Sequence, residues 1–478
     1  MGRLATHISA PMRRERRTLR VMLSTGAHPG RRYRPLSDSS PRCARAAVAA
    51  TASISGLAPH PKRSPAPAAG WFLAASTLIL MLPTIAGCKP RNTPATTPQM
   101  DTAPGYWVRV LLINDAHGFD LSLETGFAVA ATGAESPPQA FARQDGPMRV
   151  SVVAGRISIA DLPVHAFEVD ILPDPPHIIG IDGSGHRGQL RICVNPDGRT
   201  LDAINMVPLE PYLAGVVGAE MPQYWEPAAL QAQAIAARTY CLYTKRRFGK
   251  GRTWDLSRTQ ASQVYKGVDG ETERVWDAVN QTRGMVLTTP NRDGQTDLFP
   301  AYYSSTCGGH TENCENVFGE AFSALMGVPC PYCKDVARPG SFFWPVVRMD
   351  KARVAELLAA RYPRLRRLGQ VAAIAPADVS RYDKFSRITR LELRGENGVD
   401  YLRGEDFRLT LDPSGRQLRS AACEIHENAD QWEFQAGRGW GHGVGMCQCG
   451  AQGMARQGKT AEQILLHYYS NAKLVRLY

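Results

Sequence analysis

Val207-Pro208-Leu209-Glu210-Pro211-Tyr212-Leu213-Ala214-Gly215-Val216-Val217-Gly218-Ala219-Glu220-Met221-Pro222 is the stretch on which the chain turns from strands to helices. Pro211 falls in a first helical turn, where its missing N–H costs nothing, and Pro222 pushes the residue before it out of the helical region. The spacing therefore predicts a helix from Leu209 to Met221. Its apolar positions Leu213, Val216 and Val217 form a core-facing stripe, and the next position on that stripe is Glu220. A carboxyl group there is desolvated and sits at the negative end of the helix dipole, and both effects raise its pKa. That is what a proton donor at neutral pH requires. The alternative is a capping or ion-paired structural glutamate.

Working outward from this helix, the preceding hundred residues read as β structure. Val108 to Ile113 is a buried strand, Phe119, Leu121 and Leu123 alternate, and strand-like runs continue through 149–153, 166–172, 189–194 and 203–207 with Gly and Pro turns between them. Downstream, a second helix starts at Pro227 and runs to about Arg247 with an alanine-rich face that admits close packing. Arg238 and Tyr240 lie in its middle, within reach of a substrate, although a core-flanking salt bridge is the plainer role for Arg238. No repeat of fixed period is present.

Near the end, Gly437-Arg438-Gly439-Trp440-Gly441-His442-Gly443-Val444-Gly445-Met446 carries glycine at every second residue. As an extended segment this puts Arg438, Trp440 and His442 on one face and leaves the other bare, open to close backbone approach. Arg, Trp and His together suit a sugar ring. A satisfied core histidine is the competing role for His442. Thr460-Ala461-Glu462-Gln463 before Ile464 and Leu465 reads as a capping box opening a final helix. The expected fold class is α+β, with a β-rich part over residues 105–205 and a mixed helical and strand core over 206–478.

The 478 residues are 44% hydrophobic and 21% charged, as in a globular body, and the formal net charge is +12. The basicity is confined to the first hundred residues, where 15 Lys and Arg face only Glu15 and Asp38; the remainder is close to neutral. A nucleic-acid partner is therefore excluded as an expectation. Residues 1–65 are rich in Arg, Ala, Ser and Pro and cannot bury enough apolar surface to fold. Residues 66–88 read as a signal peptide, with an apolar run from Trp71 to Leu82 that is too short to span a membrane. Ile85-Ala86-Gly87-Cys88 closes it like a lipobox, making Cys88 the expected lipidation site, and 89–104 is a Pro/Thr-rich tether.

Nine cysteines remain beyond Cys88, an odd number that pairwise disulfides do not exhaust. Cys307 with His310, then Cys314, then Cys330-Pro-Tyr-Cys333 bring soft ligands together within 27 residues. Two pairs, the second at C-x-x-C spacing, suit a closed tetrahedral zinc site with His310 as a spare ligand. Disulfides are the alternative in an exported chain.

Four motifs in order, Val207-Pro208-Leu209-Glu210 to Ala219-Glu220-Met221-Pro222, Ala232-Gln233-Ala234-Ile235-Ala236-Ala237-Arg238-Thr239-Tyr240, Ser305-Thr306-Cys307-Gly308-Gly309-His310-Thr311, and Gly439 to Met446 with Gly450-Ala451, resemble the SpoIID/LytB family of sporulation and amidase-enhancer domains. The resemblance covers about residues 106–478. It implies a lytic transglycosylase acting on peptidoglycan strands stripped of stem peptides, with Glu220 as acid; Arg238, Tyr240, Trp440, His442 and Gln448 are the residues expected to hold the glycan. Such an enzyme needs one carboxyl group, because the C6 hydroxyl of N-acetylmuramic acid serves as internal nucleophile and leaves a 1,6-anhydro product. The resemblance also supports structural zinc near the Cys-Gly-Gly-His-Thr motif. Cys447-Gln448-Cys449 departs from the common pattern. The enhancer branch of the family implies another expectation, a non-catalytic glycan-binding module that stimulates a peptidoglycan amidase. A lipobox on this domain implies an envelope protein anchored to the membrane.

Overall fold

The computed structural model describes residues 106–132, 137–291 and 294–478. The leader, the signal segment with Cys88, and the tether lie outside the described residues.

The strands expected from alternation form two sheets. Trp107–Ala116 pairs antiparallel with Leu201–Pro208, which pairs in turn with Gln189–Val194, and Glu168–Pro173, Phe127–Ala131 and Gln139–Phe141 extend the sheet on that side. Leu256–Ser257 adds a parallel strand at its other edge. The second sheet has the order Arg156–Ile159, Met148–Val153, Gly118–Ser122, Ile178–Ile181, Ser184–Arg187. Val110, Leu190 and Ile192 from the first sheet share one core with Phe119, Leu121, Val150 and Ile179 from the second. Period-2 patterning produces this arrangement, because each strand buries one face.

Leu201–Pro208 runs directly into helix α1 (Leu209–Glu220), followed by α2 (Pro227–Phe248) and α3 (Glu273–Gln281). The sequence suggested a stripe on α1, but residues 209 to 217 are all buried. The reason is position: α1 is enclosed by α2, α3, the sheet and the turn Gly267–Gly270, so every face is desolvated. Leu213, Val216 and Val217 each contribute about 1.5–3 kcal/mol by burial.

After α4 (Cys314–Phe318) the chain enters a segment with a core of its own. α5 (Lys351–Arg361), the antiparallel strands Val371–Tyr382, Phe385–Gly395 and Gly398–Arg403, α6 (Gly404–Leu411) and the strands Val347–Asp350, Glu424–Glu427 and Gln431–Gln435 enclose Trp344, Leu358, Leu393, Phe407, Trp432 and Phe434. This insert separates Cys333 from Cys447 in sequence. It is tied to the rest by Arg387, whose Nη2 donates to the Cys307 carbonyl at 2.9 Å, and by Tyr382 and Ser380, whose hydroxyls donate to Glu312 at 2.6 and 2.9 Å.

The chain then returns through the glycine segment to α7 (Gln448–Arg456) and α8 (Ala461–Tyr468). The expected capping box is present, with Thr460 and Gln463 each bonding the other's backbone N–H. Among the described residues no helix is long and apolar enough to cross a membrane.

Candidate functional site

Glu220 is the last residue of α1, partly exposed yet surrounded by protein on most sides. Burial raises its pKa, opposed by hydrogen bonds from the Val264 N–H to Oε1 at 2.8 Å and from the Gln448 amide to Oε2 at 3.4 Å. Two small residues make this contact possible. A Cβ on Gly215 would lie 2.5 Å from the Tyr265 ring, and one on Gly218 would lie 1.8 Å from the Gly270 carbonyl oxygen. The helix can therefore pass under residues 264–270 at backbone distance.

The Val264 segment is pinned from both sides. Tyr212 donates to Gln263 Oε1 at 3.1 Å, Gln263 Nε2 donates to the Tyr303 hydroxyl at 2.9 Å, and Tyr265 donates to Asn205 at 3.0 Å. Burial, and then the nearby Glu220 carboxylate, push the Tyr303 hydroxyl well above its ordinary pKa. These partners were not legible in the sequence, since a backbone N–H donor leaves no residue signature.

Tyr302, one residue before Tyr303, points into an aromatic group. Its ring stacks on Phe318 at 4.4 Å and lies 5.7 Å from Tyr240 and 5.8 Å from His442. The structure thus brings Tyr240 and His442 to one partly exposed aromatic wall. His442 is neutral: burial lowers its pKa to about 4, and its Nδ1 accepts the Val444 N–H at 3.0 Å.

The glycine segment departs from the expected extended form. Gly439, Gly441, Gly443 and Gly445 have φ of 75°, 105°, 78° and 70°. It is a looped segment, so Arg438, Trp440 and His442 do not share one face. The bare positions still serve close approach: a Cβ on Gly445 would lie 2.0 Å from the Tyr302 carbonyl oxygen, and one on Gly443 would lie 2.8 Å from Arg387. Trp440 sits under the Arg419 guanidinium at 4.8 Å and pairs through its backbone with Thr306, on the insert side of the loop. Arg438 lies over Phe343 and Phe385 at 4.9 and 5.0 Å.

Arg238 does not belong to the exposed site. It is fully buried, its Nη2 is 2.6 Å from Glu210 Oε2, and it also donates to the Met285 and Val279 carbonyls. The helical register that places it mid-helix turns it toward Glu210 of α1 and not toward a substrate. Gln448 is likewise buried, with its amide turned on Glu220 and on Gln233 at 3.4 Å, which makes it an orienting group.

The cysteine cluster also differs from the set expected from spacing. Cys307, Cys330, Cys333 and Cys447 place their sulfurs within 4.8 Å of one another, all buried. Cys314 is the first residue of α4 and lies outside this group. His310 is turned away, with Nδ1 2.6 Å from the Thr311 carbonyl and its ring stacked on Tyr382 at 4.2 Å. Spacing favours ligands close in sequence, but the parallel pairing of Tyr303–Ser304 with Met446–Cys447 carries Cys447 to Cys307 across 140 residues. The odd cysteine count and the unusual Cys447-Gln448-Cys449 were the available signals.

Residues 197–289 match a family model described as Stage II sporulation protein. An uncharacterized protein of Brachyspira hyodysenteriae is 30% identical over 328 residues, covering 68% of this chain and 82% of that protein. Stage II sporulation protein D of Bacillus subtilis is 31% identical over 288 residues, covering 57% and 76% respectively. The amidase enhancer of Bacillus subtilis is 22% identical over 422 residues, covering 80% and 58%.

Proposed function

The chain belongs to the stage II sporulation protein D family, and from that premise, together with the setting of Glu220, we propose that it is a lytic transglycosylase of peptidoglycan glycan strands. The observation that carries the reading is a single desolvated carboxyl group whose pKa is raised by burial. None of the interactions that set Glu220 comes from a second carboxylate. Glycosidases that use water or a protein nucleophile employ a pair of carboxyl groups. A reaction whose nucleophile is a hydroxyl of the substrate needs one.

The Val264 N–H holds Oε1 as an acceptor at 2.8 Å, whereas Oε2 receives only the longer contact from the Gln448 amide at 3.4 Å, so Oε2 is the oxygen that carries the proton. Glu220 donates it to the glycosidic oxygen as that bond breaks, then accepts the proton of the muramic acid C6 hydroxyl as the hydroxyl closes on C1. The carboxyl ends in its starting state, no water is consumed, and the product is a 1,6-anhydro end. Holding the hydroxyl within the ring under attack supplies the effective concentration that a bound water would otherwise need. Tyr240, Tyr302, Phe318 and His442 form the wall on which the glycan rests.

Mass analysis of products from purified strands without stem peptides tests this. Anhydro ends support it; ordinary reducing ends indicate hydrolysis and overturn it. The likeness to an amidase enhancer favours a second reading. No cleavage, but faster turnover by an added peptidoglycan amidase, would select that one.

The proposal extends to location. Cys88 following Ile85-Ala86-Gly87 makes this an envelope lipoprotein. Cys88→Ser is expected to move the protein out of the membrane fraction or to arrest its processing; recovery of unaltered membrane-bound protein would defeat the anchor.

A further inference from the structure

The four buried cysteines converge on one point from three separate segments, and nothing in the chemistry of Glu220 employs them. Cys307 follows the strand that carries Tyr303, Cys330 and Cys333 form a two-residue chelate, and Cys447 is the N-cap of α7. We propose that Cys307, Cys330, Cys333 and Cys447 bind one zinc ion, and that this ion fixes the start of α7, and with it Gln448, against Glu220. The metal site stands on its own geometry; its bearing on catalysis rests on the reading of Glu220 as the acid.

Distance is the first argument. A tetrahedron with zinc–sulfur bonds of about 2.3 Å has sulfur–sulfur edges of about 3.8 Å. Cys307 and Cys333 sulfurs are 3.8 Å apart, and all four lie within 4.8 Å. A disulfide would need about 2.05 Å.

The groups around the sulfurs point the same way. Four thiolates around one divalent ion leave a net negative charge in a buried place, which has to be met by donors. Cys447 Sγ accepts the N–H groups of Cys307 and Gly450, each at 3.3 Å, and the second of these belongs to the first turn of α7, whose dipole favours an anion. The Tyr468 hydroxyl is 3.0 Å from Cys330 Sγ. Gly450 is required by this packing, since a Cβ there would lie 2.5 Å from Cys330 Sγ and 2.0 Å from the Tyr468 hydroxyl oxygen.

The link to Glu220 is one peptide bond long. Cys447 precedes Gln448, whose amide reaches Glu220 Oε2. Two loop segments and a helix terminus meet here without continuous secondary structure between them, so a four-point tie sets the position of Gln448. Four sulfurs and no histidine or carboxylate also make a closed site, suited to structure and not to activating water.

The test uses the full chain purified without chelator or reductant. Expected are one zinc per chain by elemental analysis, and sulfur-to-metal charge-transfer absorption after exchange for cobalt. Cys447→Ser is expected to weaken zinc binding at least about tenfold, while Cys314→Ser retains one zinc per chain. Removing zinc should speed hydrogen exchange across Gln448–Arg456 before the sheets open. Iron in place of zinc, a metal-free protein with disulfides among the four cysteines, or zinc lost from Cys314→Ser and kept by Cys447→Ser, would each overturn the assignment. Unchanged exchange in α7 after zinc removal would overturn the positioning role. None of these readouts depends on glycan cleavage, so they separate this inference from the transglycosylase reading.

Discussion

Glu220→Gln is expected to lower strand cleavage by about 10²–10⁴-fold, the usual worth of a positioned general acid or base, with the fold retained. The amide keeps the shape of the carboxyl group and can still accept the Val264 N–H, but it has no proton to give. The same substitution carries a signature in stability. Burial raises the pKa of Glu220 in the folded protein above its ordinary value of 4.5, so folding binds a proton more tightly than the unfolded chain does. That contribution is complete below pH 4.5 and is lost as pH rises through the raised value, where the native protein must hold a desolvated charge. Glutamine escapes this loss. The variant should therefore gain stability relative to the parent as pH rises through the raised pKa of Glu220, and cleavage by the parent should fall over that same interval. Melting curves and turnover measured across pH check both. Undiminished turnover would remove Glu220 from the mechanism, and a stability difference that ignores pH would show that its carboxyl is not desolvated.

The burial of Glu220 was legible in sequence because it follows from local periodicity. The spacing of Leu213, Val216, Val217 and Glu220 is a property of one helix, and Pro211 and Pro222 mark its ends. The same holds for alternating strands such as Gln189–Val194 and for the Thr460 capping box. What escaped is what tertiary closure decides. Helical spacing identifies α2 but does not say which of its faces meets α1, and that is what buries Arg238 against Glu210. Glycine alternation is shared by an extended strand and by a loop with positive φ at each glycine. The choice is made by the Tyr302 carbonyl, Ser304 and Arg387 pressing on Gly445, Gly441 and Gly443. Cys447 is separated from Cys333 by an insert with its own core, so a motif of close spacing could not include it. Cys314 stands near the motif in sequence but outside the sulfur cluster in the fold.

Arg238→Met is expected to cost about 3–5 kcal/mol of stability, with the KM for glycan unchanged wherever the variant remains folded. Arg238 and Glu210 are 0% and 3% exposed, and two bonds at 2.6 and 3.0 Å join guanidinium to carboxylate. Tyr478 also donates to Glu210, and Arg238 donates to the Met285 carbonyl at 3.1 Å, so the pair ties α1 and α2 to the closing strand Met285–Pro290 and to the last residue of the chain. Removing the arginine leaves Glu210 charged and buried with little but a tyrosine hydroxyl to solvate it, and this uncompensated charge dominates the cost. Arg238→Met combined with Glu210→Leu removes both charges, so most of the loss should be recovered. A residue of about 1–3 kcal/mol should remain for the Met285 carbonyl, which keeps no donor from residue 238. Denaturant unfolding of the single and double variants measures the recovery. A glycan-binding arginine would behave in the opposite way, raising KM at little cost in stability and gaining nothing from the Glu210 substitution, and that outcome would return Arg238 to the site.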